Sequence, residues 1–446
     1  MSKKFDLVLK NGHCVVPNPT SNKLEVKPLD IGISGGQISE ISDSIVAGDC
    51  PIVNLQGLHI LPGLIDTQVH FREPGLTYKE DIESGSRSAL FGGLTGFFEM
   101  PNTKPPTTSL AALQTKFDLA ANRSHTHFAF YGGSVGDQFQ ELSRQENHPH
   151  SPGIKIFMGT STGGYLVDQD DTLIEILKNT RRRLVVHCED EPTLKAREHL
   201  IQQDPHPRAH PIWRNEESAL RATMRIVKHA RSLNRRLHIL HITTAEEVDF
   251  LKDQKDIATF EVLPQHLLLS APECYEVLGS LAQMNPPIRG LRHQQALWRA
   301  VNDGTVNMMG SDHAPHTLIE KSKPYPQCPS GIPGVQTFLP LMLNFVNQNK
   351  MTLPRLVELM SQNPARIFKI KNKGQIKVGN DADFSIVDLK KTKRIENSWI
   401  QSKCAYSPYH GMQVHGWVHS VMLKGELIFQ EDQIIKKSKG LPLDFL

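Results

Sequence analysis

The stretch PGLIDTQVHFREPG, Pro62 to Gly75, places an acid, an amide and an imidazole at alternate positions, Asp66, Gln68 and His70. In an extended chain those side chains leave on one face. Arg72 and Glu73 follow directly. A metal-binding strand end with an anion-binding group beside it is one reading. A strand end with ordinary hydrogen-bonded polar residues is the plainer one. Other apolar runs end in similar chemistry: Glu99 to Thr103 (EMPNT), His187 in VVHCED, His241 in ILHITT, His266 in LPQHLLL and Asp312 in MGSDHAPH, with Lys155 inside GIKIFMG. Imidazoles and a carboxylate converging on one rim would hold zinc or a similar ion. For any single histidine, a hydrogen-bonded core residue is an equally good account. Agreement among independent strand ends favours the metal. Lys155 in an apolar strand is costly unless paired or neutralised. It could form a buried ion pair, or a carbamate with carbon dioxide that bridges two cations. The residues leave that choice open.

The elements that must position these groups are apolar runs separated by helices or long connections. The runs are Ile60 to His70, Gly96 to Met100, His127 to Tyr131, Ile154 to Met158, Leu184 to His187, Leu237 to His241, Thr259 to Leu263 and Val306 to Met309. Between them, Glu217 to Leu233 has Leu220, Met224, Val227 and Ala230 at helical spacing. Thr244 and Glu247 make a capping box, and Pro354 opens another helix. Strand–helix units in series predict a (β/α)8 TIM-type barrel, whose chemistry sits at the C-terminal strand ends. A doubly wound sheet is disfavoured, because no glycine-rich dinucleotide loop follows the first strand. Before the barrel, Asn11-Gly12 and Gly35-Gly36 read as hairpin turns between short strands. After Ile370 the pattern returns to β. The expected organisation is a small β-sandwich domain formed by both termini (1–56 with 371–446) and a barrel over 57–370. The tail from Lys436 to Leu446 reads as loose.

A net charge of +3 over 446 residues, with 39% apolar content, indicates a soluble globular chain and no nucleic-acid partner. The block Arg181, Arg182, Arg183 reads as a solvated helix end, too short for a phosphate-tracking stripe. Six scattered cysteines without CxxC suit reduced packing residues in the cytoplasm. MSKKFDLVLK lacks the apolar core of a signal peptide, and no apolar run reaches membrane-spanning length. The expected partner is a small-molecule substrate, and the expected assembly a homodimer.

Taken in order, PGLIDTQVHFREPG, EMPNTKPP, GIKIFMG, VVHCED, HITT, MNPPIR and GSDHAPH resemble dihydroorotase of the amidohydrolase superfamily. NPARIF and DADFSIVD resemble the superfamily's return to its small β domain, so the likeness covers nearly the whole chain. It implies reversible, zinc-dependent ring closure of N-carbamoyl-L-aspartate to dihydroorotate in pyrimidine synthesis. His70, Lys155, His187, His241 and Asp312 fall on the family's metal positions, Lys155 on that of its N6-carboxylated lysine, and Asp312 also matches the general base. Arg72, Asn102 and His316 match groups that bind the substrate carboxylate, and Asn285 a further substrate contact. Thr160 to Gly164 resembles a loop that closes over substrate. The departure is Gln68, where the family pattern Asp-x-His-x-His has histidine. An amide oxygen binds zinc less well than imidazole, so one or two ions per chain are both compatible, with the site of His187, His241 and Lys155 the tighter. The alternatives are a cyclic amidohydrolase acting on hydantoins, dihydropyrimidines or allantoin, and a non-catalytic scaffold partner.

Overall fold

A computed structural model describes the chain apart from residues 1–4, 22, 137, 162–164 and 438–439. Its centre is a ring of short parallel strands: Ile65–Val69, Gly96–Glu99, His127–Phe130 continuing as Gly132–Gly133, Ile154–Phe157, Leu184–His187, Leu237–Ile239, Ala258–Val262 and Met308–Met309. Every residue of these strands is buried. They therefore read as largely apolar runs, as strands covered on both faces do, interrupted by buried polar residues such as Asp66, Gln68, Lys155 and Glu261. The third strand joins two arcs: His127–Phe130 pairs with the second strand, and Gly132–Gly133 with the fourth. The ring closes where the His70 N–H donates to His313 O at 2.7 Å. This is the expected (β/α)8 barrel.

The helix Glu216–Ser232 shows how the outer layer is specified. Asn215 caps it by accepting from Ser218 N, and Ala219, Ala222, Ile226, Val227 and Ala230 are buried. The sequence spacing pointed instead to Met224, which is 47% exposed. Small residues set the contact face because they let the helix backbone approach the strands closely.

The termini share one nine-stranded sheet. Its N-terminal strands Leu7–Pro17, Leu24–Ser34 and Gln37–Ser42 meet the C-terminal strands Phe384–Arg394, Gln413–Leu423 and Glu426–Gln430 through His59–Pro62. The run Ile60 to His70 is thus two strands. His59–Pro62 pairs antiparallel with Phe384–Val387, while Ile65–Val69 enters the barrel. Gly63 makes the crossing, since a Cβ there would lie 2.4 Å from Thr95 Oγ1. Asn11-Gly12 is a bulge inside one continuous strand, with Asn11 at φ 62° and its N–H donating to Asp30 Oδ1 at 3.0 Å. Gly35-Gly36 does turn a hairpin. The tail is not loose in its described part. Leu441 and Leu443 bracket Phe128 through backbone hydrogen bonds of 3.1 and 2.8 Å, and Phe445 packs on Phe98 at 5.6 Å between ring centroids. Among the described residues, no helix is long and apolar enough to cross a membrane.

Asp383 ties the sheet to the barrel. It is buried, pairs with His127 at 3.2 Å and with Lys373, and accepts from Lys424 N at 2.7 Å. Burial alone would raise its carboxyl pKa, but His127 and Lys373 hold it well below the ordinary 3.8. A depressed carboxylate stabilises the fold fully above pH 3.8, and that stability is lost progressively below it. Asp383→Asn should therefore lower stability at pH 7 by about 3–5 kcal/mol, since it breaks a buried pair by removing one partner. The gap to wild type should shrink below pH 4, and urea titrations at both pH values measure it. An unchanged gap would show that the Asp383 charge carries no pH-linked stability.

Candidate active site

A small hollow lies at the C-terminal ends of the barrel strands. Gln68, His70, Arg72, Asn102, Lys155, His187, His241, Asn285 and Asp312 all line it. Residues from seven separate stretches of sequence are thus brought to one hollow. Two expected positions fall elsewhere. His316 stands behind Arg72, where its Nδ1 accepts from Lys79 Nζ at 3.0 Å and its Nε2 lies 3.1 Å from Ser330 O. His266 does not end the seventh strand. That strand stops at Val262, and His266 sits on the short helix Pro264–Leu268 with Nε2 3.3 Å from Pro286 O. Of the loop Thr160 to Gly164, residues 162–164 lie outside the described residues, while Ser161 reaches the cavity wall.

The donors on the wall come as two pairs. His70 Nδ1 lies 2.7 Å from Asn102 Oδ1, which accepts its proton and leaves Nε2 with the lone pair. That Nε2 faces Asp312 Oδ1 at 3.1 Å. His187 Nε2 donates to Glu189 Oε2 at 2.9 Å, so its Nδ1 lone pair faces His241 Nε2 at 3.0 Å. Burial pushes all three imidazoles towards the neutral form. Among the described residues, no three His, Cys, Asp or Glu side chains form a cation cage unaided. The group on the wall common to the two pairs is Lys155. Its Nζ is buried without a hydrogen-bond partner, 4.2 Å from the centroid of the Phe157 ring, and burial lowers its pKa to about 7. Gln68 Nε2 donates to Asp312 Oδ1 at 2.9 Å, while Gln68 Oε1 is buried and unpartnered.

The model of the amidohydrolase family matches residues 59–428. The chain belongs to the amidohydrolase family. The dihydroorotase of Methanosarcina acetivorans is 35% identical over 432 residues, covering 92% of this chain and 91% of that one. The dihydroorotase of Pyrococcus furiosus is 37% identical over 412 residues, covering 92% and 91%. The solved structure of an L-hydantoinase from Arthrobacter aurescens superposes with a TM-score of 0.91 at 28% identity, over 97% of this chain and 98% of that one.

This amidohydrolase supports its site with Asp66 and with residues that the sequence reading did not single out: Glu189, Arg214 and His210. Glu189, two positions after His187, is fully buried. It accepts from His187 and, through both oxygens, from Arg214 Nε at 3.0 and 3.1 Å. Arg214 also donates to Thr160 O at 2.7 Å. Carboxylate–histidine contacts of this kind fix the ring's tautomer and orientation. Glu189 was visible as the acid of HCED, whereas nothing near Arg214 marks it. Asp66 accepts from Gln68 N at 3.1 Å and Ser311 N at 3.0 Å, stitching the first strand to the end of the eighth. His210 holds Asn285 Oδ1 at 2.9 Å. The backbone is strained at three wall positions. Arg72, His241 and Asp312 have φ of 65°, 39° and 46°, conformations that cost about 1–3 kcal/mol each and cluster at functional sites.

Arg214→Met leaves the Glu189 charge buried and unpaired, which should cost about 3–5 kcal/mol in chemical denaturation. The double variant Glu189→Gln/Arg214→Met removes both charges and should be more stable than Arg214→Met alone. If the double variant is the less stable of the two, the pair is not what holds this corner.

Proposed function

We propose that this chain catalyses the reversible hydrolysis of the cyclic amide of dihydroorotate to N-carbamoyl-L-aspartate, in pyrimidine synthesis. The observation that carries this reading is Arg72. Its guanidinium is buried on the cavity wall, with Nε donating to Pro315 O at 3.3 Å. Among the described residues no carboxylate forms an ion pair with it. The neighbouring Glu73 is engaged by Arg123 at 2.9 Å. Burial lowers the Arg72 pKa to about 10, still far above neutrality. A desolvated, unpaired guanidinium offers a forked pair of donors that a substrate carboxylate would fill. Dihydroorotate has that carboxylate, and the uncharged rings of hydantoins do not. Asn102 and Asn285 lie on the same wall and supply further polar contacts. His316 acts through Arg72, whose Nη2 is 3.4 Å away.

The residues fit a metal centre. Facing lone pairs on His70 and Asp312, facing ring nitrogens on His187 and His241, and orphaned atoms on Lys155 and Gln68 are all reconciled by cations. A lysine with its pKa near neutrality has a substantial fraction of free amine, the form that adds carbon dioxide. His187, His241 and a carboxylated Lys155 would hold one zinc ion. His70, Asp312 and the carboxylated Lys155 would also hold a second. Zinc, when bound, makes hydroxide available at neutral pH and polarises an amide carbonyl. Asp312 has both its contacts on Oδ1, so Oδ2 is left for the reaction. It takes a proton from the attacking water and passes it to the ring nitrogen as the carbon–nitrogen bond breaks. In ring closure the reacting carboxylate takes up one proton from solvent, Asp312 passes the proton of the ureido nitrogen to that hydroxyl, and it leaves as water as the carbon–nitrogen bond forms.

Loss of dihydroorotate's ultraviolet absorbance, followed with and without added zinc, tests the activity. No turnover in either condition would favour the scaffold reading. Arg72→Met should raise KM for dihydroorotate by about 100-fold, in keeping with the loss of a charge-assisted bidentate contact. Turnover of an uncharged hydantoin should not fall with it. An unchanged KM would remove Arg72 from the carboxylate clamp.

Gln68 makes a separate prediction. Exhaustively dialysed protein should keep one zinc per chain by elemental analysis, and Gln68→His should keep two. Two tightly held ions in the wild-type chain would overturn the assignment of a weak second position.

A further inference from the structure

The arginine block read as a solvated helix end is part of something larger. Arg181, Arg182 and Arg183 run directly into the fifth strand at Leu184, and Arg235 and Arg236 directly into the sixth at Leu237. The fold brings them together at the N-terminal strand ends, on the face opposite the candidate active site. Lys369, just after the helix Asn363–Phe368, completes the set. These six cations line one cavity of about 370 Å³.

Among the described residues, none of the six forms an ion pair with a carboxylate. Arg183 Nη1 donates to Leu237 O at 2.6 Å and Arg182 Nη1 to Ser151 O at 2.8 Å, so backbone carbonyls hold these guanidinium groups in place. Arg235 Nη2 donates to Arg182 O at 3.3 Å. The Nε atoms of Arg183 and Arg235 are buried without any partner. Glu146 lies beside the cluster, but its two oxygens accept from the backbone N–H groups of Arg181 and Arg182 at 2.6 and 2.5 Å. Burial, and after it the neighbouring Arg236 and Arg366, pushes the Arg183 guanidinium pKa down to about 10.

Glu146 offsets part of the charge of Arg182 and Arg235, and six cations around one hollow still leave an excess that favours an anion there. The shape selects among anions. A concave volume of this order suits a small molecule rather than a long strand. Fixed guanidinium forks match phosphate oxygens. We infer that this hollow is a second ligand site, and that it takes a small polyphosphate anion: a free polyphosphate or the triphosphate of a nucleotide.

Calorimetric titration of the full chain with inorganic tripolyphosphate, and separately with a nucleoside triphosphate, should give saturable binding to both. In Arg181→Glu/Arg236→Glu, two exposed positions, affinity should fall by roughly tenfold or more, as expected when charge complementarity is reversed. Lys369→Glu, also exposed, should weaken binding in the same direction. Melting temperature and dihydroorotate turnover without the anion should match wild type, which separates this site from Arg72. Equal affinity for the two probes would place recognition in the phosphates alone. Tighter binding of the nucleotide would add its base or sugar, and both results support the site. Absence of saturable binding, or the same affinity in the charge-reversed chain, would overturn it. Preference for a long single-stranded nucleic acid over the triphosphate would also overturn it.

Discussion

The barrel interior depends on keeping a buried amine from carrying an unpaired charge. Lys155 sits on a fully buried strand with no hydrogen-bond partner. Leaving an ammonium there without a counter-charge would be far more costly than any single contact nearby could offset. The surroundings answer by drifting towards neutrality. Burial, then Asp312, raises the Glu261 pKa to about 8, and burial raises that of Asp66 to about 7. The imidazoles are pushed down. The result is a core of polarizable, nearly neutral donors. Converting the amine into a carbamate, with cations to balance it, resolves the same problem chemically. The instability that makes Lys155 expensive as a lysine suits it to become a ligand.

Such a core works only if its donors cannot relax away from one another. Two layers prevent that. Beneath the wall, Glu189 with Arg214 fixes the His187 ring, Asn102 fixes His70, and Asp66 joins the first strand to the segment carrying Asp312. At the wall itself, Arg72, His241 and Asp312 hold left-handed backbone at the points where strands become loops. Strain of this size persists only where the surroundings over-determine it. Here the strands below each residue are buried on all sides, so the chain cannot trade a better φ for a displaced side chain.

Much of this was legible in the sequence because buried parallel strands leave a largely apolar signature, and the residue ending each run is where barrel chemistry sits. His70, His187, His241 and Asp312 were found on that logic, and Lys155 by its incongruity within GIKIFMG. The same logic erred where an apolar run does not mean one strand. Ile60 to His70 crosses from sheet to barrel at Gly63, and the only local mark of the crossing is the pair Pro62-Gly63. LPQHLLL placed His266 on a rim because its leucines continue the apolar run, yet Pro264 starts a helix there. Asn11-Gly12 has the chemistry of a turn, and pairing with Leu24–Ser34 makes it a bulge. Long-range partners were out of reach for a different reason. Arg214 meets Glu189 across 25 residues, and Arg181 to Arg183 acquire Arg235, Arg236 and Lys369 only through the fold. A charge block judged by its length along the chain is misjudged when the barrel gathers strand starts as closely as strand ends.

Gln68 shows how far one side chain redirects the site. An imidazole there would compete with Asp312 and His70 for the same cation. The amide instead donates to Asp312 Oδ1 at 2.9 Å and keeps its own oxygen unpaired. That donation fixes the rotation of the Asp312 carboxylate. Asp312 is therefore oriented by protein hydrogen bonds as well as by any ion. A cation proposed beside it would have an amide oxygen there in place of a stronger nitrogen ligand. On the other side of Lys155 nothing is lost, since His187 and His241 keep their facing nitrogens and the Glu189 support. If cations bind as proposed, the metal-binding burden would fall on His187, His241 and Lys155. Asp312 is left the freer of the two functions it would otherwise combine, with its Oδ2 available for proton transfer.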